Sequence, residues 1–277
     1  MRTAALINGT AAHTVEFDDI FKYGIYPPGA PTISAALAAA QATRASGMNF
    51  LRAVVAGYEI STRIGAAMGR AHYKFWHNTG TIGVFGATPA VGLLLGLSPD
   101  QHRHALATVT TFSAGLQQAF RMDSMSKPLH AGRAAEAGVL AARAAQEGVI
   151  GSLDVIEGES GFGVAMGDGP DWNRATATLG QDWHVCMMTF KNHGCCGHTF
   201  AAIDGALALK TQLALNPNDI KRVRVATYKA GLDVANIKHP RTAAEAKFSM
   251  RYVVANALVH GSVRLDAFEP HRLDDRT

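Results

Sequence analysis

Segments rich in alanine and glycine, with helical spacing, recur along the first half of the chain. Residues 32–47 read TISAALAAAQATRASG, in which Ile33 and Leu37 stand one helical turn apart and Gly47 marks a stop. Residues 49–71 continue the helical spacing, and their glycines would let neighbouring helices approach closely. Aromatic residues make up only 8% of the chain, which favours closely packed helices over a sandwich of aromatic-rich strands. The sequence therefore predicts a mainly α protein.

The helical segments continue past residue 97 and then give way to a region with mixed spacing. Ser98 is followed by proline, aspartate and then Gln101, the capping-box arrangement that starts a helix. Beyond a connection rich in glycine and aspartate, residues 220–228 alternate apolar and charged side chains, as a β-strand does. We therefore expect an all-helical large domain over residues 1–183 and a smaller α/β domain over residues 184–277.

Basic residues are concentrated in the C-terminal third of the chain. The formal net charge is +4, and 13 basic residues against 8 acidic ones lie within residues 184–277. Such an excess attracts anionic small molecules. The sequence has no run of clustered lysine and arginine interleaved with aromatic residues, so nucleic acid is not an expected partner.

The cysteines and the N-terminus indicate a cytoplasmic protein. Cys186, Cys195 and Cys196 form no disulfide framework, and the adjacent pair cannot comfortably bond to each other. The first residues lack the apolar core of a signal peptide. The uncharged run of residues 79–97 approaches membrane-spanning length, but its glycines and Pro89 favour a buried helix over a membrane span.

The stretch SKPLHAGRAAEAG places cations at the start of an alanine-rich helix. Pro128 disfavours helical backbone at Lys127, so the helix is expected to begin near His130. A helix N-terminus already carries partial positive charge, and each cation there is unfavourable by roughly 0.3–1 kcal/mol. A bound carboxylate flanked by Lys127, His130 and Arg133 would reverse that sign. A solvated lysine beside a histidine that caps the helix by chance is an equally open alternative at this point.

Other stretches carry side chains suited to proton transfer or anion binding. A histidine before the glycine and threonine turn at residues 78–83 is more often structural than catalytic. The acidic run EFDD is either a solvated loop or one that orients a substrate or balances charge. The stretch FKNHGCCGHTF suggests a metal site by composition, but its spacing fits no zinc motif and adjacent cysteines rarely chelate one ion, so no metal is expected. The candidates here are His77, Glu16, Asp18, Lys191, His193, Cys196 and His198, together with Tyr252 on a helix whose apolar face would ordinarily bury it.

Five segments, in order along nearly the whole chain, resemble a known family. They are NGTAAHTVEFDD, HNTGTIGVFGA, SKPLHAGRAAEAGVLAARAAQEG, EGESGFG and AKFSMRYVVANALVHGSVRLDAF. The sequence is similar to the MmgE/PrpD family, which includes 2-methylcitrate dehydratase, cis-aconitate decarboxylase and iminodisuccinate epimerase. The KPLHxGxAAxxG element is the specific one, and the other segments are moderately so.

The resemblance implies an all-helical large domain with an α/β lid, a homodimer, and proton chemistry beside a carboxylate without a cofactor. The implied substrate is a di- or tricarboxylate, and the implied reaction is a dehydration, a decarboxylation or an epimerisation. Taken with the patterns above, the expected catalytic residues are His77, Lys127, His130 and Tyr252, and the expected substrate-binding residues are Glu16, Asp18, Arg133, Lys191, His193, Cys196 and His198.

The sequence departs from the family pattern at two positions and in its length. Where the family commonly has a histidine before a proline-glycine turn, this chain has Tyr26, so an acid or base is missing or replaced. Cys196 falls where the decarboxylase has a histidine, and His193 or His198 is expected to substitute. Family chains extend beyond both ends of these segments, so the chain is expected to be shortened. A carboxylate-binding homologue without activity is therefore the alternative to an enzyme.

Overall fold

The computed structural model describes residues 1–120 and 124–274, and the chain forms two compact units. The first unit contains residues 1–14 and 18–190, and the second contains residues 15–17 and 191–277. Residues 15–17 therefore belong to the second unit although they lie early in the chain. The sequence predicts a single boundary, after residue 183.

The first unit is built from helices and one short antiparallel sheet, as the mainly α prediction requires. In the sheet, β1 (Asp19–Ile20) pairs with β2 (Thr189–Phe190), and Asp19 lies opposite Phe190. The helices are α1 (Arg2–Thr14), α2 (Gly29–Thr43), α3 (Gly47–Tyr73), α4 (Asn78–Thr81), α5 (Val84–Leu95), α6 (Pro99–Thr110), α7 (Ser126–Gln146), α8 (Phe162–Met166) and α9 (Asn173–Thr176), with 3₁₀ turns at Gln117–Phe120 and His184–Met187.

Small side chains, rather than large ones, form much of the core of this unit. On α2, the buried face consists of Ala35, Ala36, Ala38 and Ala39, whereas Ile33 and Leu37 are 40% and 38% exposed. The spacing of Ile33 and Leu37 therefore identified the helix but not its buried face. Alanine faces give little apolar area per residue, so helices stabilised by them must pack at short distances.

Glycines make those short distances possible between α1, α5 and α7. A Cβ atom at Gly138 of α7 would lie 2.5 Å from the Cβ of Ala87 on α5 and 2.8 Å from its backbone. A Cβ at Gly132 of α7 would lie 2.3 Å from the carbonyl oxygen of Leu6 on α1. Since real Cβ atoms do not approach other atoms so closely, both contacts require glycine.

The start of α6 confirms the helix signal predicted at Ser98. Ser98 accepts the N–H of Gln101, and the Gln101 side chain accepts the N–H of Ser98, which is the predicted capping box at the start of α6. In α3, Gly69 has φ of 65° and breaks the helical path. Glycine adopts a positive φ at little energetic cost, so the chain can change direction at Gly69, ahead of α4.

The stretch Asn78–Leu95 is long and apolar enough to cross a membrane by length and composition, but 83% of it is buried in the structure. It forms α4 and α5, with Pro89 inside α5. Such burial is typical of a core helix, and the expected buried helix is confirmed, with a break at residues 82–83.

The second unit is also helical within the described residues. Its core contains Ile203, Val253, Ala257 and Phe268 among other apolar side chains. The helices are α10 (Phe200–Gln212), α11 (Lys229–Val234), α12 (Ala243–Lys247), α13 (Met250–His260) and α14 (Pro270–Leu273), with 3₁₀ turns at Gly197–Thr199, Pro217–Asp219 and Leu265–Phe268.

The strand predicted over residues 220–228 is not formed, and this part of the α/β expectation was wrong. The segment has no regular structure, and Val223 and Val225 are exposed. Alternating side chains stabilise a strand only when a neighbouring strand pairs with its backbone and one face is buried. Within residues 1–120 and 124–274, no strand pairs with this segment.

The close approach of α5 and α7 makes Gly138 a sensitive position. We expect Gly138→Ala to lower the free energy of unfolding by about 1–3 kcal/mol, because the added methyl group overlaps the backbone of α5. Gly47→Ala is the matched control, because a Cβ at the first residue of α3 meets no atom within 4 Å, and its effect should stay within about 0.5 kcal/mol. Urea unfolding followed by circular dichroism measures both, and equal stability of the two variants would contradict the packing argument.

Candidate active site

His77 is held in place by the backbone of a facing loop. It lies just before α4 and is buried, and its N–H donates to the carbonyl of Gly115 at 2.9 Å. One turn later, a Cβ at Gly80 would lie 2.4 Å from the carbonyl oxygen of Ala114. The glycine of the HNTG turn therefore allows the loop to pack against the turn and fixes the position of the histidine.

A direct contact joins His77 to His130. The two Nδ1 atoms are 2.9 Å apart, although the residues lie 53 positions apart in sequence. At this distance one Nδ1 carries the proton and donates, while the other accepts with its lone pair. The arrangement excludes the state in which both rings are doubly protonated, because two Nδ1–H groups would then face each other.

His130 favours the neutral form. Burial lowers the pKa of its imidazole below 6.5, and the neighbouring charges of His13 and Lys127 lower it further. A neutral imidazole retains a lone pair and can accept a proton from a substrate near neutral pH.

The helix that carries His130 begins earlier than the sequence predicts. α7 begins at Ser126, so Lys127 and Pro128 lie in its first turn and His130 lies one turn inside. The prediction of a start near His130 was wrong because proline is tolerated in the first turn, where its missing N–H would have no helical partner.

His13 and Asp18 adjoin the histidine pair. His13, in the last turn of α1, stacks on His77 with ring centroids 5.3 Å apart. Its Nδ1 lies 3.0 Å from Oδ1 of Asp18, and both side chains are almost fully buried. A carboxylate accepts the Nδ1–H, so Asp18 fixes the tautomer and the orientation of the His13 ring.

Lys127 is connected to the same cluster through an aromatic ring. The Phe120 ring meets His77 edge-on, with centroids 4.8 Å apart. The Nζ of Lys127 lies 5.2 Å from the centroid of Phe120, and the lysine side chain is buried. Cation–π attraction of this kind helps to hold a desolvated ammonium group close to the histidines.

Arg133 is placed differently from the other predicted residues of the first unit. Its guanidinium group is largely exposed and pairs with Glu136 on the same helix, and Arg2 pairs with that carboxylate as well. One carboxylate is therefore shared by two arginines at this exposed position.

The acidic run EFDD is divided between the two units. Asp18 belongs to the first unit with His13, whereas Glu16 belongs to the second unit. There the Glu16 carboxylate lies 3.1 Å from Nζ of Lys191, and both side chains are buried. Glu16 adopts φ of 57°, an uncommon value for a residue with a side chain.

The remaining candidates of the cysteine stretch have partners within the second unit. His193 is buried, and its Nε2 lies 2.8 Å from Oδ1 of Asp204. The N–H of Cys196 donates to the carbonyl of Lys247. Burial raises the pKa of the adjacent Cys195 thiol to about 12, which keeps that sulfur protonated. Among the described residues, no three histidine, cysteine or acidic side chains converge as a metal site.

His198 and Tyr252 also lie in the second unit. His198 Nδ1 is hydrogen-bonded to the hydroxyl of Tyr228, and burial lowers the pKa of the imidazole. The Tyr252 hydroxyl donates to the carbonyl of Ala267, and the Tyr252 ring packs beside Phe268.

Tyr26, where the family pattern commonly has histidine, is a core residue here. Its side chain is 1% exposed and packs in the same cluster as Phe21 and Ile82. Burial raises the pKa of the phenol, so the group stays neutral and cannot serve as a base near neutral pH.

The sequence did not indicate two residues of the histidine cluster as functional. His13 ends a helix and Phe120 lies in a short 3₁₀ turn, and neither position has a local pattern that indicates chemistry. The NGTAAH segment that contains His13 resembles the MmgE/PrpD family but does not by itself assign a role to the histidine. A histidine followed five residues later by aspartate was the one available signal.

Comparison with known proteins follows the division into two units. Residues 1–175 match the MmgE/PrpD N-terminal domain, and residues 193–277 match the MmgE/PrpD C-terminal domain. The chain belongs to the MmgE/PrpD family. Both matches together cover most of the chain.

The relatives of this MmgE/PrpD chain include proteins named as cis-aconitate decarboxylases. A cis-aconitate decarboxylase-like protein of Aspergillus oryzae is 30% identical over 99% of this chain and 61% of its own length. The cis-aconitate decarboxylase of Homo sapiens is 30% identical over 96% of this chain and 56% of its own length. That of Aspergillus terreus is 26% identical over 96% and 58%. The chain therefore spans somewhat more than half the length of these relatives.

The lowered pKa of His130 predicts a contribution to pH-dependent stability. Below pH 6.5 the unfolded chain binds the proton more readily than the folded chain, so the free energy of unfolding falls as the pH drops, by at most about 1.4 kcal/mol per pH unit. His130→Asn keeps a polar group at the Nδ1 position and removes the titration. Urea unfolding at about pH 7.5 and about pH 5.5 should therefore show a smaller loss in the variant than in the wild type. Equal losses would contradict a lowered pKa at His130.

Proposed function

We propose that this MmgE/PrpD protein is a lyase or isomerase that removes a proton next to a carboxylate of a di- or tricarboxylate. The observation that carries the proposal is the contact of the His77 and His130 Nδ1 atoms at 2.9 Å, beside the buried Lys127. It combines a proton acceptor with a fixed positive charge in one partly desolvated cluster. Among the three family reactions, decarboxylation is favoured by the names of the relatives.

The ammonium group of Lys127 supplies the electrostatic part of the mechanism. When a proton leaves the carbon beside a carboxylate, negative charge develops on the carboxylate oxygens. A preorganised cation at that point, together with the N–H groups that begin α7, stabilises the charge as it forms. Because Lys127 is desolvated, its interaction with the anion is stronger than that of a surface lysine.

The histidine pair supplies the proton acceptor. A ring that accepts the substrate proton at Nε2 becomes a cation, and its Nδ1–H can donate to the Nδ1 lone pair of the other ring. His13, positioned by Asp18, stacks on His77 and restricts its ring orientation. Both His77 and His130 are therefore suited to the role of base, and proton transfer of this kind requires no cofactor.

Carboxylate binding without turnover is the second candidate function. The observation that favours it is the position of Tyr26, which lies in the core and offers no group that titrates near neutral pH. If the reaction needs a second acid at that position, the anion site would bind its ligand without converting it.

Proton exchange in deuterated water tests both candidates. Purified protein is mixed with di- and tricarboxylates, including cis-aconitate, and deuterium incorporation and product formation are followed by proton NMR. We expect turnover by the wild type and a decrease of roughly 100-fold or more for Lys127→Ala, because the developing charge loses its main stabilising group.

Lys74→Ala is the matched control for this substitution. Lys74 also lies over a phenylalanine ring, with Nζ 4.9 Å from the centroid of Phe75, but it is exposed. Its removal should leave the rate unchanged. Equal rates for Lys127→Ala and wild type would exclude the proposed mechanism, whereas calorimetric binding without exchange in folded wild-type protein would favour the second candidate.

A further inference from the structure

A cavity of about 510 Å³ opens beside His130 in the first unit. This volume is within the usual range for small-molecule sites, roughly 300–1,000 Å³. Its walls are mainly apolar, and they come from the loop before α7 and from α7 itself. The lining residues include Phe112, Ala114, Leu116, Ala119, His130 and Arg133.

The apolar walls are exposed although the backbone that carries them is fixed. Phe112 is 40% exposed and Leu116 is 57% exposed. Leu116 lines the cavity, and its backbone forms an isolated bridge with Trp76, the residue before His77, so the same turn fixes the backbone at both residues. Exposed apolar surface is unfavourable in water, and a ligand with matching apolar surface would cover it.

His130 belongs both to this cavity and to the histidine pair. Gly115 lies against the ring, where a Cβ would be 3.1 Å from Nδ1 of His130, and Gly80 lies against the Cβ of the same residue. Because both neighbours are glycines, no side chain from them separates the ring from the cavity. A ligand atom in the cavity can therefore lie near the imidazole that contacts His77.

The apolar lining of the cavity favours an aliphatic group as its occupant. Among the described residues that line it, Arg133 is the one with a permanent charge, and its side chain is 62% exposed and paired with Glu136. A carboxylate placed among Phe112, Leu116 and Ala119 would lose its hydration without a cation among those side chains. An aliphatic group has no such cost.

We propose that this cavity receives an aliphatic arm of the substrate, so that the substrate is an alkyl-substituted carboxylic acid whose acidic end meets Lys127 and the histidine pair. The inference rests on the proposed function, since it places the reacting carbon beside His130. It adds a preference for substrates with an alkyl chain over small acids that are polar throughout.

A series of alkylsuccinates, which carry a C–H bond beside each carboxylate, tests this preference. Succinate and its methyl, butyl and hexyl derivatives are titrated into the protein by calorimetry, and deuterium exchange and conversion are followed by NMR. We expect the dissociation constant to fall roughly fourfold for each added methylene until the cavity is filled. Leu116→Ser should flatten this dependence while leaving succinate binding unchanged.

Two further variants separate a cavity effect from a folding effect. Leu51→Ser is the matched control, because Leu51 is 56% exposed and does not line the cavity, and it should keep the wild-type dependence on chain length. Ala114→Leu narrows the cavity by addition rather than removal, and it should weaken binding of the hexyl derivative while leaving succinate binding unchanged.

The outcomes distinguish this inference from the proposed function. Affinity that rises with chain length and is flattened by Leu116→Ser, without any conversion, would support the cavity assignment and contradict the proposed reaction. Deuterium exchange into succinate or its conversion, with no dependence of affinity on chain length, would overturn the assignment and leave the reaction intact. A rise in affinity that is the same in Leu116→Ser, Ala114→Leu and wild type would also overturn it, because the alkyl arm would then lie elsewhere.

Discussion

The close approach of α1, α5 and α7 is the constraint on which the candidate site depends. Gly9 and Gly132 allow the backbones of α1 and α7 to come within contact distance of each other. His13 lies one turn beyond Gly9, and His130 lies two residues before Gly132, so the glycine contact places both histidines in the same region of the unit. A larger residue at either glycine would separate the helices and, with them, the rings that meet at His77. Packing and chemistry are therefore determined by the same small residues.

Local signals in the sequence identify most helices, but they do not reveal which partners those helices find. The capping box at Ser98 specifies a helix start within four residues, so it could be predicted with confidence from its chemistry. The buried face of α2 could not be predicted from its largest apolar residues, because Ile33 and Leu37 are partly exposed while the alanines are buried. The alternation at residues 220–228 depends on a pairing partner at a distance, and a local pattern cannot supply that information.

The candidate site was partly predictable for the same reason. Lys127 lies in the first turn of α7, where a cation is unfavourable without an anion, and this local conflict indicated it together with the neighbouring His130. His77 was the weaker candidate, because a histidine before such a turn is more often structural. The contributions of His13 and Phe120 arise only when distant segments meet, so no local pattern indicated them. The run EFDD shows this limit of local patterns most clearly. Glu16 and Asp18 are only two residues apart, but they belong to different units: Glu16 pairs with Lys191, and Asp18 with His13.

The early placement of residues 15–17 in the second unit has a consequence for modularity. The chain enters that unit, leaves it at Asp18 and returns at Lys191, so the unit is not a contiguous piece of sequence. A fragment that begins at Lys191 would keep the buried ammonium group but lose the Glu16 carboxylate that neutralises it, and a buried charge without its partner is strongly destabilising. An excised second unit would therefore need residues 15–17 as well as the segment that begins at Lys191 in order to keep this ion pair.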